Sequence, residues 1–299
     1  MPLYLGLDCG GSSTRALITD EHSNPVFEGK SGSANLASTP IEVIRDHLRE
    51  ALRDAPPVSH VAGCFAGLLT HADRHRATML LEEQVPGANC RAYPDYYATL
   101  AAAHDSDFIA ISGTGTLIAS RSQGVVTKSS GGGPLIGDEG STFDLVRRAL
   151  RRLLLAPNQP HCSPMFWESL VEHFGTESRP EMVAAIYRAP SPAGFVARLA
   201  PDVFLEANRG EPFAAISLRE TLITLAQAIL LHLEQVLPHL EAPHGALAGG
   251  FWEIDESLVG RLSEVLTDLA GPRGSSLRLH KMETPPLYGA VRLAREPWS

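Results

Sequence analysis

The sequence predicts an α/β protein made of two halves that begin alike. Residues 3–7 form a short apolar run that leads into the turn DCGGSST (8–14), and residues 108–111 form a second run that leads into SGTGT (112–116). Short apolar runs that end in glycine and serine turns are typical of β-strands. A second strand and a second turn follow in both halves. The pattern therefore indicates an internal repeat with a domain boundary near residue 105.

The first glycine turn joins a strand to a strand, because residues 15–19 resume an apolar strand pattern. Rossmann and Walker nucleotide sites need a helix directly after their glycines, and DCGGSST has no Walker lysine. Both kinds of site are therefore excluded here. Further strands are predicted at 25–28, 61–66, 90–93, 117–120, 125–127, 246–248 and 277–280, and helices at 40–54 (capped by Ser38 or Thr39), 73–84, 96–104, 143–155, 216–237 and 288–295.

The composition and the apolar segments predict a soluble protein. A formal net charge of −9 disfavours binding to nucleic acid or to an anionic membrane through overall charge. The longest uncharged apolar stretch, 221–233, is too short to span a bilayer. The N-terminus lacks the basic and apolar regions of a signal peptide.

The cysteine pattern favours a reducing cytoplasm. Cys9, Cys64, Cys90 and Cys162 form no CxxC pair and match no zinc spacing. Scattered single cysteines are usually small buried hydrophobes in reduced proteins. We therefore expect a cytoplasmic location with no disulfides.

The two glycine turns could hold phosphate groups. Glycines let backbone N–H groups approach a ligand closely, and serine and threonine hydroxyls add further donors. A single glycine-rich turn is usually no more than a turn, whereas two in matching positions favour a shared function. The candidate hydroxyls are those of Ser12, Ser13, Thr14, Thr114 and Thr116.

Several carboxylates lie beside these turns. Asp8 could bond its own turn or could hold Mg²⁺ through water, which is the usual mode for that ion. Asp95 lies between a strand and a helix, where a helix N-cap is the simpler local interpretation. Asp138 and Glu139 lie in the glycine-dense segment 129–141, where structural and functional interpretations have equal weight.

Two other charged groups have simple structural interpretations. His71 and His75 have the i,i+4 spacing of metal ligands, but their segment is polar and no third ligand is evident, so a solvated helix face is expected. Four arginines, Arg147, Arg148, Arg151 and Arg152, are expected to form the exposed face of one helix.

The order of the motifs DCGGSST, SAN, AG, PD, SGTGT, GGG…GDEGS, EANRGE, AGG and PPLYGA resembles the N-acetylglucosamine kinase and BadF/BcrA-type ATPase family. That family belongs to the actin/hexokinase/Hsp70 superfamily. The resemblance covers nearly the whole chain. It implies a two-lobed, actin-like ATPase of duplicated ribonuclease H-like domains, with the active site in the cleft between lobes. The lobes would be 1–105, with a C-terminal helix 286–299 packing back on it, and 106–285.

The resemblance also implies an ATP site. In the first turn Cys9 replaces a family glycine, and Ser12 replaces a threonine but keeps a hydroxyl. Asp8 would hold Mg²⁺ through water. The implied ATP-binding residues are Gly10, Gly11, Ser12, Ser13, Thr14, Thr114, Gly115, Ala207, Gly249 and Gly250.

For the sugar, the resemblance implies Asn35 of the SAN segment and Asp138 of GDEGS as ligands, with Asp95 as substrate ligand and catalytic base. Gly131, Gly132 and Gly133 would line the same site. Gly132 stands where the family usually has tryptophan. This departure puts N-acetylglucosamine itself in question more than kinase activity, and leaves room for a different or bulkier amino sugar.

The expected function is therefore an ATP-dependent kinase that phosphorylates a hydroxyl of N-acetylglucosamine, glucosamine or a muramic-acid relative. ATP and Mg²⁺ would be required. Relatives in the family often dimerise, so the resemblance is compatible with a homodimer, and the sequence leaves the oligomeric state open. One alternative is a BadF/BcrA-type ATPase that drives a partner protein, although those activators use interface cysteines to hold an iron–sulfur cluster. The other is a non-catalytic sugar-binding regulator, which would have no need to keep Asp8, Asp95, Thr114 and Asp138.

Overall fold

The computed structural model describes residues 2–155 and 161–296. The chain divides into two compact units, which we call unit 1 (Met1–Asp105 with Met282–Ser299) and unit 2 (Ser106–Lys281). Each unit contains a five-stranded mixed sheet with helices. The α/β fold class predicted from the sequence is confirmed.

The bounds of the elements follow the predicted pattern of strands and helices in most places. The strands are β1 Tyr4–Cys9, β2 Thr14–Thr19, β3 Pro25–Ser31, β4 His60–Phe65, β5 Asn89–Pro94, β6 Phe108–Ser112, β7 Thr116–Ser122, β8 Val125–Ser129, β9 His244–Ala248 and β10 Arg278–Lys281. The helices are α1 Ile41–Ala51, α2 His71–Gln84, α3 Tyr96–Ala102, α4 Thr142–Leu154, α5 Pro164–Phe174, α6 Arg179–Arg188, α7 Pro192–Ala197, α8 Ala200–Asn208, α9 Pro212–Val236, α10 Ser257–Ala270, α11 Pro272–Ser276 and α12 Pro286–Arg295.

The two sheets share one topology. In unit 1 the strand order is β3-β2-β1-β4-β5, with β1 to β3 antiparallel and β4 and β5 parallel to β1. In unit 2 the order is β10-β9-β6-β7-β8, with β6 to β8 antiparallel and β9 and β10 parallel to β6. The internal repeat predicted from the two glycine turns is thus present in strand order and direction.

Close backbone packing holds α12 against the rest of unit 1. A Cβ added at Gly6 of β1 would lie 2.4 Å from the backbone nitrogen of Val291 in α12. A Cβ added at Gly289 would lie 1.9 Å from the carbonyl oxygen of Ala98 in α3. Only glycine permits such approaches, so these two positions let the C-terminal helix pack directly on β1 and α3.

The core of unit 2 is organised around α9, a 25-residue helix. Its length and mean hydropathy of 1.4 would suit a membrane span by composition alone. Its buried face, which includes Leu218, Leu222, Leu225 and Ile229, instead belongs to the apolar core that α4, α8 and α10 also form. This helix therefore does not indicate a membrane protein.

Two local expectations are wrong. The helix predicted from residue 40 begins at Ile41 after Pro40, which offers no side-chain cap; the Thr39 hydroxyl instead contacts the Ser33 hydroxyl at 3.1 Å. The four arginines of α4 are not simply an exposed face. The side chains of Arg148 and Arg152 are 19% and 30% exposed, and both form ion pairs with Glu220 of α9.

Candidate functional site

The first glycine turn joins β1 to β2 and presents two of its three predicted hydroxyls. The turn closes with a hydrogen bond from the Gly10 N–H to the Ser13 carbonyl (2.9 Å). Ser12 is exposed and Ser13 is half-buried. Thr14 opens β2 and is fully buried, and its hydroxyl has no hydrogen-bond partner among the described residues. Surface donors on this turn therefore come from Ser12, Ser13 and the backbone.

Asp8 and Asp95 lie at the same edge of the unit 1 sheet. Asp8 is near the carboxyl end of β1, and Asp95 directly follows β5, which runs parallel to β4 and β1. The pKa of Asp8 is raised, mainly because the carboxylate is buried and further because of the negative charge of Asp95; Arg15 acts in the opposite direction. The structure therefore brings these two predicted site residues close enough for the charge of Asp95 to raise the pKa of Asp8.

Asp95 also takes the structural role that its local sequence predicts. One of its carboxylate oxygens, Oδ1, accepts a hydrogen bond from the Tyr96 N–H at the start of α3 (2.9 Å). Its own N–H donates to the Phe65 carbonyl at the end of β4 (3.1 Å). Because the side chain is exposed, the cap fixes the carboxylate in place without closing it off from a substrate.

The SAN segment is fixed between the first glycine turn and the end of β4. The Ala34 N–H donates to the Gly10 carbonyl (3.2 Å), and the Leu36 N–H donates to the Ala66 carbonyl (2.9 Å). Asn35 is therefore placed at the same edge of the sheet as Asp8 and Asp95.

The side chain of Asn35 lies between two glycines. Its Oδ1 accepts from the Ala37 N–H (2.9 Å). A Cβ at Gly67 would lie 2.3 Å from Oδ1, whereas a Cβ at Gly11 would lie 3.7 Å from Nδ2. The amide group of Asn35 thus depends on the absence of a side chain at Gly67.

The second glycine turn, between β6 and β7, resembles the first but is one residue shorter. The Gly113 N–H donates to the Gly115 carbonyl (2.9 Å), as Gly10 does to Ser13 in the first turn. Thr114 at its tip is exposed. Thr116, which opens β7 as Thr14 opens β2, is buried, and its hydroxyl also lacks a partner among the described residues.

Asp138 packs directly on this second turn. Its Oδ1 accepts a hydrogen bond from the Thr116 N–H (3.1 Å), and the residue is only 9% exposed. Burial is the largest cause that raises the pKa of Asp138; the Thr116 N–H lowers it and the Glu139 charge raises it. A Cβ at Gly115 would lie 2.8 Å from Oδ1, so glycine is needed there. The SGTGT and GDEGS motifs are thus parts of one local structure.

Three hydroxyls hold the GDEGS segment in place. The Ser112 Oγ donates to the Gly140 carbonyl (2.6 Å), and the Thr142 Oγ1 donates to the Gly113 carbonyl (2.7 Å). The Ser141 hydroxyl caps α4 by accepting from the Asp144 N–H (3.1 Å). Sequence reasoning did not single out these positioning residues, although a serine three residues before an aspartate is a helix-start signal.

The predicted sugar loop Gly131–Gly133 follows β8. All three glycines have positive φ, at 79°, 103° and 84°, which explains a run of glycines here. A Cβ at Gly137 would lie 2.1 Å from the Gly131 carbonyl oxygen, so the loop folds back tightly before it reaches Asp138.

The three residues of the predicted adenosine site belong to two different segments of unit 2. Gly249, with φ of 102°, follows β9, and a Cβ there would lie 2.4 Å from the Ser112 carbonyl oxygen. Gly250 follows it beside the second glycine turn. Ala207 instead lies on α8, where it lines a 280 Å³ cavity with residues of α9 and α10.

Three tyrosines around Asp95 form a cluster of aromatic rings that was not predicted from the sequence. The ring centroids of Tyr93 and Tyr97 are 5.4 Å apart, and those of Tyr96 and Tyr97 are 5.1 Å apart. Burial raises the pKa of Tyr96 to about 12, with smaller contributions from Tyr97 and Asp95. The sequence YPDYY at residues 93–97 is the local pattern that could have indicated this cluster.

Metal-ligand side chains do not cluster in the part of the chain that the structure describes: no group of three or more His, Cys, Asp or Glu residues there is suited to a metal ion. His71 and His75 are exposed on α2, as expected. All four cysteines are free thiols, and Cys9 and Cys64 are buried.

Comparison with known proteins agrees with this architecture. The model of the BadF/BadG/BcrA/BcrD ATPase family matches residues 5–267. A glucosamine kinase of Vibrio cholerae is 28% identical, with 74% of this chain and 77% of that protein covered. An N-acetylmuramic acid/N-acetylglucosamine kinase of Clostridium acetobutylicum is 22% identical over 99% of both chains. A candidate N-acetylglucosamine kinase of Chromobacterium violaceum has a similar structure, with a TM-score of 0.73, 24% identity and 99% coverage of both chains.

Proposed function

Because this chain belongs to the BadF/BadG/BcrA/BcrD ATPase family, we propose that it is an ATP-dependent kinase that transfers the γ-phosphate to a hydroxyl group of an amino sugar. The observation that carries the proposal is the placement of an exposed, capped Asp95 beside the half-buried Asp8 at one edge of the unit 1 sheet. The names of the relatives supply the substrate class: glucosamine, N-acetylglucosamine or N-acetylmuramic acid.

Asp95 would act as the catalytic base. An exposed carboxylate that is fixed by the Tyr96 N–H can orient a sugar hydroxyl and accept its proton as the hydroxyl attacks phosphorus. Asn35, at the same edge, would hold a neighbouring hydroxyl with its amide. Asp138 and the loop Gly131–Gly133 are proposed as further sugar contacts.

Asp8 fits a role in holding Mg²⁺ through water. Burial, and further the negative charge of Asp95, raise the pKa of Asp8, and a divalent cation nearby would favour the ionised carboxylate. When bound, the ion supplies positive charge to the phosphate oxygens of ATP.

The glycine turns would bind phosphate groups through backbone N–H groups and hydroxyls. In unit 1 these come from Gly11, Ser12 and Ser13, while Gly10 closes the turn through its own N–H, and in unit 2 from Thr114 and Gly115. Gly249 and Gly250 would approach the adenosine. Positioning and electrostatic stabilisation carry most phosphoryl transfer, so turnover on the order of 1–100 s⁻¹ is expected. The protein would act in the cytoplasm, and a homodimer is proposed, which light scattering would test.

A coupled assay of ADP release with MgATP tests the function. The panel is glucosamine, N-acetylglucosamine, N-acetylmannosamine, N-acetylmuramic acid, anhydro-muramic acid and glucose. One strong responder among the amino sugars supports the kinase, and the position of the new phosphate by NMR identifies the hydroxyl. ADP release at the same rate with and without each sugar would favour an ATPase that drives a partner protein. No ADP release, with sugar binding still measurable by calorimetry, would favour a regulator.

A further inference from the structure

Two cavities adjoin along α4 in unit 2 and share the side chains of Arg147 and Arg151. One has a volume of 810 Å³ and a mostly apolar lining. The other has a volume of 410 Å³ and is lined by the four arginines of α4 together with Glu220. Neither cavity is lined by a residue to which the proposed kinase reaction assigns a role.

The larger cavity is lined by apolar side chains, of which those at its rim are exposed. Its walls include Leu150 and Leu154 of α4 and Ile186 of α6. At its rim, Leu135 is 95% exposed and Tyr187 is 81% exposed. Contiguous apolar surface of this kind marks a binding site more often than an inert surface. The volume is within the range of about 300–1,000 Å³ that is usual for small organic ligands.

The smaller cavity carries an excess of positive charge. Asp144 pairs with Arg147 and Arg148 at 2.7 and 2.9 Å. Glu220 pairs with Arg148 and Arg152 at 3.0 and 2.6 Å. The four guanidinium groups thus face two carboxylates, and Arg151 has no ion pair among the described residues. In a chain of net charge −9, this is a local reversal of sign that attracts anions.

We propose that the two cavities form one site for a small anionic amphiphile. The acyl or aromatic body of the ligand would fill the apolar cavity, and its carboxylate or phosphate would bind Arg147 and Arg151, which belong to both cavities. Guanidinium groups suit such anions because they donate two parallel hydrogen bonds. The concave shape and limited volume favour a small molecule over a protein partner.

The test uses 8-anilinonaphthalene-1-sulfonate as a fluorescent probe of the full-length protein. Decanoate and decyl phosphate are the competitors, and decanol and inorganic phosphate, which lack the anionic group or the apolar chain, are their controls. Two variants test the charged part and the apolar part of the site independently. Arg151→Glu reverses the charge of an arginine that forms no ion pair with any residue the structure describes, and Ala193→Phe adds a ring to the apolar cavity at a lining position. Arg53→Glu, an exposed arginine of unit 1, is the matched control for charge reversal.

Saturable probe binding is expected, with displacement by decanoate or decyl phosphate at least about tenfold better than by decanol or inorganic phosphate. Arg151→Glu and Ala193→Phe should each weaken decanoate binding at least about tenfold, and Arg53→Glu should leave it unchanged. Equal binding by all variants would overturn the proposal, as would equal displacement by decanol. A third outcome would also overturn the proposal: the wild type is a dimer that binds no probe, and Ala193→Phe makes it monomeric. This face of unit 2 would then be an interface between two copies of the chain.

Discussion

The two units present the same sheet edge with different chemistry. In unit 1, the edge carries two neighbouring carboxylates, the half-buried Asp8 and the exposed Asp95. In unit 2, the corresponding turn carries no carboxylate of its own, and Asp138 is brought onto it by a separate loop and is buried there. Strand order is maintained by backbone hydrogen bonds and repeats between the units, whereas function resides in the connections, which are free to differ.

Replacing the two carboxylates separately gives the largest expected contrast. Asp95→Asn removes the proposed base, and should lower kcat by about 10²–10⁴-fold, or about 3–5 kcal/mol in the barrier, with the KM for ATP nearly unchanged. Asp138→Asn keeps an oxygen that can accept from the Thr116 N–H. It should mainly raise the KM for the sugar, by roughly 10-fold or more, because a hydrogen bond to a charged group is lost.

Steady-state kinetics with the sugar that responds in the panel separates the two effects. Asp46→Asn, at an exposed position on α1, is the control for a carboxylate-to-amide change and should resemble the wild type. Near-normal kcat in Asp95→Asn would remove Asp95 from the role of base.

The units also differ in their cores, because only unit 2 contains a fully buried histidine among the described residues. His232 of α9 lies between Ser129 of β8, at 2.6 Å from Nδ1, and Ser120 of β7, at 3.0 Å from Nε2. Burial lowers the pKa of His232 to about 4. The neutral ring therefore links the helix to the two strands.

This histidine should make unit 2 sensitive to acid. Its pKa is about 6.5 in the unfolded chain and is lower in the folded one, so its contribution to stability is complete above pH 6.5. As the pH falls from 6.5 towards 4, the unfolded state takes up a proton that the folded state excludes, and about 3 kcal/mol of stability should be lost. Urea unfolding of the wild type and His232→Gln at pH 7 and pH 4.5 measures this.

The quantity to compare is the change in the free energy of unfolding between pH 7 and pH 4.5, because His232→Gln also removes packing contacts at both pH values. That change should be smaller in His232→Gln than in the wild type and in His71→Gln, which alters an exposed histidine of unit 1. Equal changes in all three proteins would show that another group causes the acid sensitivity.

The two glycine turns should respond differently to an added methyl group. At Gly115, a Cβ would lie 2.8 Å from the Asp138 carboxylate and would displace it from the Thr116 N–H. Gly115→Ala should therefore lower the free energy of unfolding by about 1–3 kcal/mol. At Gly11, a Cβ would make an ordinary contact of 3.7 Å with Asn35. Gly11→Ala should stay within about 0.5 kcal/mol of the wild type in the same urea titration. Equal losses in the free energy of unfolding for Gly115→Ala and Gly11→Ala would contradict this difference between the two turns.

Local patterns were sufficient to predict most strands and helices. The strand predicted at residues 3–7 is Tyr4–Cys9, and the helix predicted at 143–155 is Thr142–Leu154. The helix Ser257–Ala270 was missed, although Leu258, Leu262 and Leu266 recur every fourth residue and are buried. The acidic residues that precede it and Gly260 in its first turn weaken the local signal.

Contacts between distant parts of the chain could not be predicted from the sequence. The Asp138 carboxylate and the Thr116 N–H are separated by 22 residues, and Arg152 and Glu220 by 68. Such pairs depend on how helices pack on the sheet, which periodicity does not specify. For the same reason the arginines of α4 were expected to be solvated, and Thr14 was expected to offer a surface hydroxyl.

The smallest predicted effect concerns the two buried threonines, Thr14 and Thr116, in which the two turns are most alike. Each hydroxyl is buried without a hydrogen-bond partner among the described residues, and a buried unsatisfied hydroxyl costs free energy. Replacement by valine keeps the shape and removes the polar atom, so Thr14→Val and Thr116→Val should each stabilise the protein by up to about 1 kcal/mol.

The KM for ATP should not change in either threonine variant, because both hydroxyls are closed off from a ligand. Urea unfolding and ATP kinetics on both variants, with Thr114→Val as the exposed comparison, distinguish a structural from a ligand-binding hydroxyl. A raised KM for ATP in only one of the two variants would show that its turn opens to the nucleotide. The two turns would then be alike in backbone structure but different in the role of this threonine.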